Sequence, residues 1–508
     1  MRNKFLKLFF SRYAVCGFFI LLQVLLITFV VLLWASKSAF VYALYMFLSV
    51  FIVLWLFSCD LNPSYKMAWA LTIIVFPLLG SFYFLFWQRY KLSGKKRKLL
   101  TEIEKETKHL NPQTPGVLSR LEQRHGGWAR LGEYLTNTAK APVVANTQGE
   151  YFPSGEAWFC SLVQELAEAE KFIFMEYFII RDGKMWREIF AILKERAAKG
   201  VEVRFLYDDL GTLGGIPKAH LREAREAGIQ MVAFNPWTPR LDGFVNSRDH
   251  RKICVIDGQV AYNGGLNIGD EYINAIHPYG HWKDAAVLIR GDGVWSFTLM
   301  FLEMWRFATG VSEDYLKYKV AASCGEDGFI QPYGDTPLDN VQVSANAYMQ
   351  IISRAEKYVY IATPYLILDN ETITALCLAA RSGVDVRIIT PGIPDKKMVF
   401  WLTQSFYASL LAAGVRIYQY TPGFLHGKMF VADDVVATVG TANMDYRSLY
   451  LHFECCTAFY DSSVVDSVKG DMVCTMGLSH EMTLTEVSQW SVWKRFVQSI
   501  LRVFAPFL

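Results

Sequence analysis

Two histidine and lysine pairs recur in this 508-residue chain with one spacing. His250-Arg251-Lys252 is followed by Asp257, and His426-Gly427-Lys428 by Asp433, so both read H-x-K-x4-D. A small-residue turn and an asparagine trail each copy, Gly264-Gly265-Leu266-Asn267 in one and Gly440-Thr441-Ala442-Asn443 in the other. Such a set supplies what phosphoryl transfer needs without a metal. One imidazole attacks phosphorus, the other protonates the leaving oxygen, and two ammonium groups hold the charge on the non-bridging oxygens. Asn267 and Asn443 add neutral donors to the same oxygens. The candidate catalytic set is therefore His250, Lys252, Asp257, His426, Lys428 and Asp433, with Asn267 and Asn443 in support.

An attacking histidine must carry its proton on the far ring nitrogen, which calls for a carboxylate behind it. Candidates stand at similar offsets, Asp284 34 residues after His250 and Glu454 28 after His426. Asp257 and Asp433 lie too far along a strand from their own histidines and are expected to be structural acids in the turn. Alternating apolar residues (Ile253, Val255; Met429, Val431), closed by Asp257-Gly258 and Asp433-Asp434, put each motif on a strand that ends in a tight turn. Residues two apart on a strand share a face, so each His and Lys is expected to project side by side.

A lone His-x-Lys is most often a solvated strand face, but the duplication extends beyond the motif. Ala169-Glu170-Lys171-Phe172-Ile173-Phe174 is echoed by Ala355-Glu356-Lys357-Tyr358-Val359-Tyr360, and Gly200-Val201-Glu202-Val203-Arg204 by Gly383-Val384-Asp385-Val386-Arg387. The alternation of strands and helices predicts α/β architecture: two pseudo-repeated halves, 141–325 (motif region 244–271) and 326–508 (motif region 420–447). Each is a mostly parallel sheet flanked by helices, and the two share one active site.

With Glu176-Tyr177-Phe178, Thr363-Pro364-Tyr365, Trp282-Lys283-Asp284 and Asp445-Tyr446-Arg447-Ser448, the paired motifs resemble the phospholipase D superfamily over about residues 140–508, and within it most closely the bacterial cardiolipin synthases. The resemblance implies a ping-pong reaction through a phosphatidyl-histidine. It assigns His250 as nucleophile and His426 as acid and then base, with phosphatidylglycerol as both donor and acceptor and no cofactor. A membrane phospholipase D, or another phosphatidyltransferase, would use the same residues; a non-catalytic scaffold would have no need of them. One position departs from the pattern: His452-Phe453-Glu454 stands where the family commonly has Asn-Phe-Glu.

Residues 1–90 read as a membrane anchor, with uncharged runs at 14–34, 39–59 and 67–87, each long enough for a hydrocarbon core of about 30 Å. Basic residues before the first run and after the third favour a cytoplasmic catalytic part on a bacterial inner membrane. Three full crossings cannot satisfy both basic ends, but Pro77 and Gly80 interrupt the third run, and if it kinks, re-enters or lies shallow an even number of crossings leaves the catalytic part in the cytoplasm; the alternative is an active site on the outer face. Residues 91–140 read as a charged linker, and the C-terminus, with Trp493, Phe496, Ile500 and Phe504 at helical spacing, as an amphipathic helix that packs on the core or lies on a bilayer of anionic lipid. A net charge of +3 gives no basic stripe for nucleic acid. There is no Cys/His metal spacing and no nucleotide-binding glycine loop. Nine cysteines without paired spacing suit a reducing compartment.

Overall fold

A computed structural model describes residues 38–88, 94–236, 246–321, 324–339 and 341–507. The chain divides into an N-terminal unit ending at Lys91 and a larger unit starting at Leu92. In the N-terminal unit the run 14–34 lies outside the described residues, and helix Ser38–Ser58 covers the second run, with several of its side chains outside the description.

The third run does not form one helix. Helix Pro63–Val75 ends at Phe76, whose φ of −127° and ψ of 74° leave the helical region, and Pro77–Gln88 starts a new helix. The cause is local, because a proline ring crowds the preceding residue out of helical geometry. At 1.5 Å per residue, either piece reaches only about 20 Å. Among the described residues no helix is long and apolar enough to cross a membrane, so the expected multi-pass anchor is not supported at either described run, 39–59 or 67–87. The unit nonetheless exposes a dense apolar surface, with Phe47, Phe51, Leu54, Met67 and Ile74 all more than half exposed.

The expected linker is also different in kind. Helices Gly94–Thr107 and Val117–Ala139 turn their charges outward and bury Ile103, Leu121, Leu131 and Leu135. Polar contacts tie them down: Arg306 pairs with Glu106, and Gln331 Nε2 donates to the carbonyls of Gly132 and Ala141 at 3.0 and 2.8 Å. Charge density signalled an exposed face there, while the buried stripe every three or four residues makes the segment part of the larger unit.

That unit holds two mixed sheets. The first half supplies β1 (Thr147–Phe152), β2 (Phe172–Tyr177), β3 (Glu202–Asp208), β4 (Gln230–Phe234), β5 (Lys252–Ile256), β6 (Val260–Gly264), β7 (His281–Lys283) and β8 (Ala286–Gly291). Seven of them order as β1-β8-β6-β5-β2-β3-β4. The second half supplies β9 (Phe329–Asp335), β10 (Tyr358–Ala362), β11 (Asp385–Pro391), β12 (Arg416–Tyr420), β13 (Gly423–Leu425), β14 (Met429–Ala432), β15 (Val436–Gly440), β16 (Glu454–Tyr460) and β17 (Ser479–Met482). Eight of these order as β17-β12-β11-β10-β14-β15-β16-β9. The strands joined by helical crossovers, β2-β3-β4 and β10-β11-β12, run parallel. The motif strands β5 and β14 join β2 and β10 antiparallel, and each continues through a hairpin. Those hairpins turn on Asp257-Gly258 and Asp433-Asp434, whose φ values of 55°, 69°, 55° and 60° are the doubly left-handed geometry that matches strand twist.

Candidate active site

Two short pairings between the halves place the chemistry. β13 runs parallel to β7 with Leu425 opposite Lys283, so the next residues, His426 and Asp284, meet. The His426 N–H donates to the Lys283 carbonyl at 2.6 Å. On the other side Asp249 bridges Phe453, and the His250 N–H donates to the Phe453 carbonyl at 3.0 Å, which sets His250 against Glu454. In both places the backbone register decides which carboxylate backs which imidazole.

The result is an exchange between halves. His426 Nδ1 lies 2.7 Å from Asp284 Oδ2, and His250 Nδ1 lies 2.9 and 3.0 Å from the two oxygens of Glu454. The sequence offsets had set each carboxylate after the histidine of its own half; the structure pairs each with the histidine of the other. Both carboxylates have no exposed side-chain surface. Asp284 is held further by the Ala285 N–H at 2.9 Å and the Trp282 indole N–H at 3.3 Å, and Glu454 by the Thr441 hydroxyl. Gly265 makes room, since a Cβ there would stand 2.2 Å from Asp284 Oδ1.

Each lysine folds back over the histidine two residues before it. Lys252 Nζ donates to the His250 carbonyl at 2.6 Å, and Lys428 Nζ lies 3.1 Å from His426 Nε2. Aromatic rings wall the imidazoles: Phe178 stands 5.0 Å from His250, and Trp282 and Tyr272 stand 5.2 and 5.6 Å from His426, centroid to centroid.

Burial and neighbouring cations govern charge. Burial, with Lys252, Lys428, His426 and Lys396 close by, pushes His250 well below the ordinary histidine range. Burial and Lys428 bring His426 down to about 4 even with Asp284 behind it. Burial also lowers Lys252 to about 8 and Lys428 to about 7. Although burial favours its neutral form, Asp284 is held below the usual range by His426, Lys428 and the Ala285 N–H. At His250, a neutral imidazole whose Nδ1–H points at Glu454 presents its Nε2 lone pair to the pocket, the form a nucleophile needs, whereas Lys428 stands over Nε2 of His426.

The remaining candidates serve the scaffold. Asp257 accepts the N–H groups of Glu170, Lys171 and Phe172 at 2.7–2.8 Å, and Asp433 those of Glu356, Lys357 and Tyr358 at 2.8–3.0 Å. Each cradles the start of the neighbouring strand, away from the imidazoles, the structural place expected of these turn acids even though the motif groups them with the catalytic set. Asn267 accepts from the Ile179 N–H at 3.0 Å and donates to the Tyr272 hydroxyl at 2.9 Å. Asn443 donates to Asp445 at 3.0 Å, and its buried Oδ1 has no hydrogen-bond partner among the described residues. Sequence reasoning missed Thr441 as a support of Glu454. It also missed the buried pair Glu176 and Asp249 beneath Arg251, where burial raises both carboxyls. Glu176 and Thr441 stood in the motifs already singled out, Glu176-Tyr177-Phe178 and Gly440-Thr441-Ala442-Asn443, and Asp249 adjoins His250, but nothing in the sequence gave them these partners.

The family described as "Cardiolipin synthase, PLD-like domain" matches residues 162–279 and 348–472, the segments that carry the two motifs. A cardiolipin synthase of Alkalihalophilus pseudofirmus is 34% identical over 90% of this chain and 92% of its own. The chain belongs to the cardiolipin synthase family of phospholipase D-like enzymes. An uncharacterized protein of Streptococcus mutans is 41% identical over 90% of this chain and 99% of its own. Among solved structures, a phosphatidylserine synthase from Haemophilus influenzae superposes with a TM-score of 0.58 at 16% identity, covering 74% of this chain and 97% of that one, and so shares the fold. Membership gives the duplicated fold its explanation: two halves of one enzyme, neither with a complete histidine and carboxylate pair of its own.

Proposed function

We propose that this cardiolipin synthase family member transfers the phosphatidyl group of one phosphatidylglycerol to the headgroup hydroxyl of a second, giving cardiolipin and glycerol. The observation that carries the proposal is the exchanged pairing, two imidazoles each backed by a buried carboxylate, with Lys252 and Lys428 folded beside them. His250 Nε2 attacks phosphorus while its Nδ1–H rests on Glu454. The lysines hold the non-bridging oxygens, and His426 gives its proton to the departing glycerol oxygen. His426 then takes the proton of the incoming hydroxyl as that oxygen displaces His250 from phosphorus. His426 is neutral in the free site, so binding of the anionic substrate must be coupled to the uptake of one proton from solvent onto His426. A buried monoanion between two lysines raises the imidazole toward the range an acid needs.

The hydroxyl acceptor in place of water is favoured at a lipid surface, where headgroups are concentrated. The C-terminal helix Val492–Val503 supports such a placement. Leu501 and Gln498 are buried, and Gln498 donates to the Trp401 carbonyl at 3.1 Å on helix Lys397–Ser405. The same helix leaves Val492, Trp493, Phe496 and Ile500 exposed by 45% or more. Lys494, Arg495 and Arg502 on it make no ion pair with any described carboxylate. Lys494 and Arg502 rest over the Trp490 and Phe406 rings, and an apolar stripe edged by cations that meet no carboxylate suits an anionic bilayer surface. The test is turnover in phosphatidylglycerol micelles, with lipid products and free glycerol measured against His426→Ala. Cardiolipin with matching glycerol, lost in the variant, upholds the proposal; phosphatidic acid as the product turns the protein into a hydrolase.

A further inference from the structure

Position 452 differs from its counterpart in the other half. Lys283 and Phe453 play matching parts, each giving its carbonyl to a catalytic histidine's N–H, so Trp282 and His452 occupy equivalent places one residue earlier. Trp282 uses its indole N–H on Asp284. His452 does nothing comparable. Its side chain is 10% exposed, its Nδ1 lies 3.9 Å from Glu454 Oε1, and no hydrogen bond from the described residues satisfies that nitrogen. Its ring centroid stands 5.5 Å from that of His250. One ligand atom from each of His250, His452 and Glu454 falls within 4.8 Å of the others.

We propose that His250, His452 and Glu454 form an inhibitory site for a transition metal of the zinc class. Two imidazoles and a carboxylate are a common zinc ligand set with the fourth position open, and bonds of about 2.0–2.2 Å place tetrahedral ligands roughly 3.4 Å apart. The His250 to Glu454 separation is already shorter than that, the His452 to Glu454 separation of 3.9 Å must close by about half an ångström, and the widest pair of the three, within 4.8 Å, by up to about 1.4 Å, which a turn of the His452 ring supplies. The metal satisfies the orphan nitrogen of His452, a buried donor or acceptor that otherwise goes unpaired.

Inhibition follows from atom bookkeeping at His250. Nδ1 now holds a proton aimed at Glu454. When Nδ1 takes the metal, that proton leaves, and the neutral imidazole is rebuilt with its proton on Nε2. No proton is gained or lost overall, but the lone pair that attacks phosphorus is gone. Magnesium, which prefers six oxygen ligands, does not take this set.

This inference rests on the two-histidine reading of the site, so its test needs one arm that measures turnover and one that does not. The full chain in detergent is stripped with chelator and titrated with Zn²⁺ during phosphatidylglycerol turnover, beside Mg²⁺. Wild type loses activity to Zn²⁺ alone and recovers it with chelator. His452→Asn, compared only with its own zinc-free rate, needs at least about 10-fold more Zn²⁺ for half inhibition, the scale on which lost ligand support acts. In the second arm, Co²⁺ absorption and bound metal per chain are measured after dialysis. Wild type holds one ion that His452→Asn and His452→Gln both lack. Equal zinc sensitivity with equal metal content in wild type and variants overturns the proposal. A protein that turns over no phosphatidylglycerol, yet binds an ion only with His452 present, keeps the metal site and overturns the assigned reaction.

Discussion

Exchanged pairing of the histidines and carboxylates makes a prediction that ordinary turnover cannot resolve but an activated substrate can. Glu454→Gln removes the carboxylate that meets His250 Nδ1 at 2.9 and 3.0 Å in full burial. A hydrogen bond to a charged group contributes about 1.5–3 kcal/mol, which at 1.36 kcal/mol per tenfold is roughly 10- to 160-fold in rate. An amide N–H turned toward Nδ1 also drives the ring proton to Nε2, so the loss should reach at least about 100-fold. Asp284→Asn does the same to His426. With phosphatidylglycerol both variants are slow. A p-nitrophenyl ester of phosphatidic acid separates them, because its leaving group departs without a proton and the acid becomes dispensable. The burst of p-nitrophenol should survive within about tenfold in Asp284→Asn and His426→Ala, and vanish in Glu454→Gln and His250→Ala. If Asp284→Asn instead falls with His250→Ala, and Glu454→Gln with His426→Ala, the pairing across halves is refuted. If the pairs stay together but the two sets trade places, the pairing stands and the nucleophile is His426.

Stability should also follow pH. His426 is depressed from 6.5 to about 4, so the unfolded chain binds the extra proton; the stabilisation is complete above about 6.5 and lost as pH falls through about 4. Urea midpoints should therefore drop between pH 7 and 4.5, and drop less in His426→Gln. Asp433→Ala strands three backbone N–H groups at the start of β10 and should cost about 2–4 kcal/mol in unfolding free energy, with the folded fraction keeping its rate constant; a large fall in that rate constant with unchanged stability would place Asp433 in the chemistry. Trp493→Ser with Phe496→Ser removes apolar surface worth about 2 kcal/mol, roughly 30-fold in partitioning to phosphatidylglycerol vesicles. A flotation assay that shows no change would dissociate the C-terminal helix from the membrane.

Most of the fold was legible because repetition is a strong signal. The echoes around Phe172 and Tyr358, and the turns at Asp257 and Asp433, located the crossover strands and the hairpins. What stayed hidden was tertiary. Nothing local says that Leu425 lies beside Lys283, or Asp249 beside Phe453, and that register alone hands each carboxylate to the other half. The segment 91–140 misled for a different reason: its composition is that of a solvated linker, and only the spacing of Ile103, Leu121 and Leu131 betrays a buried face. At Phe76 the mean hydropathy hid a break that the proline announced.

The exchanged carboxylates also bear on how the enzyme came to be one chain. In a two-fold dimer of a single half, residue i of one copy meets j of its mate, and j meets i in return. That is the relation between His250 with Glu454 and His426 with Asp284. An ancestral homodimer would have had no working protomer, and fusion would have preserved the contact while releasing the copies from identity. The drift is visible in the acids themselves, aspartate steadied by an indole on one side and glutamate by a hydroxyl on the other. A gene cut between the halves should therefore give two silent polypeptides whose activity returns only on mixing.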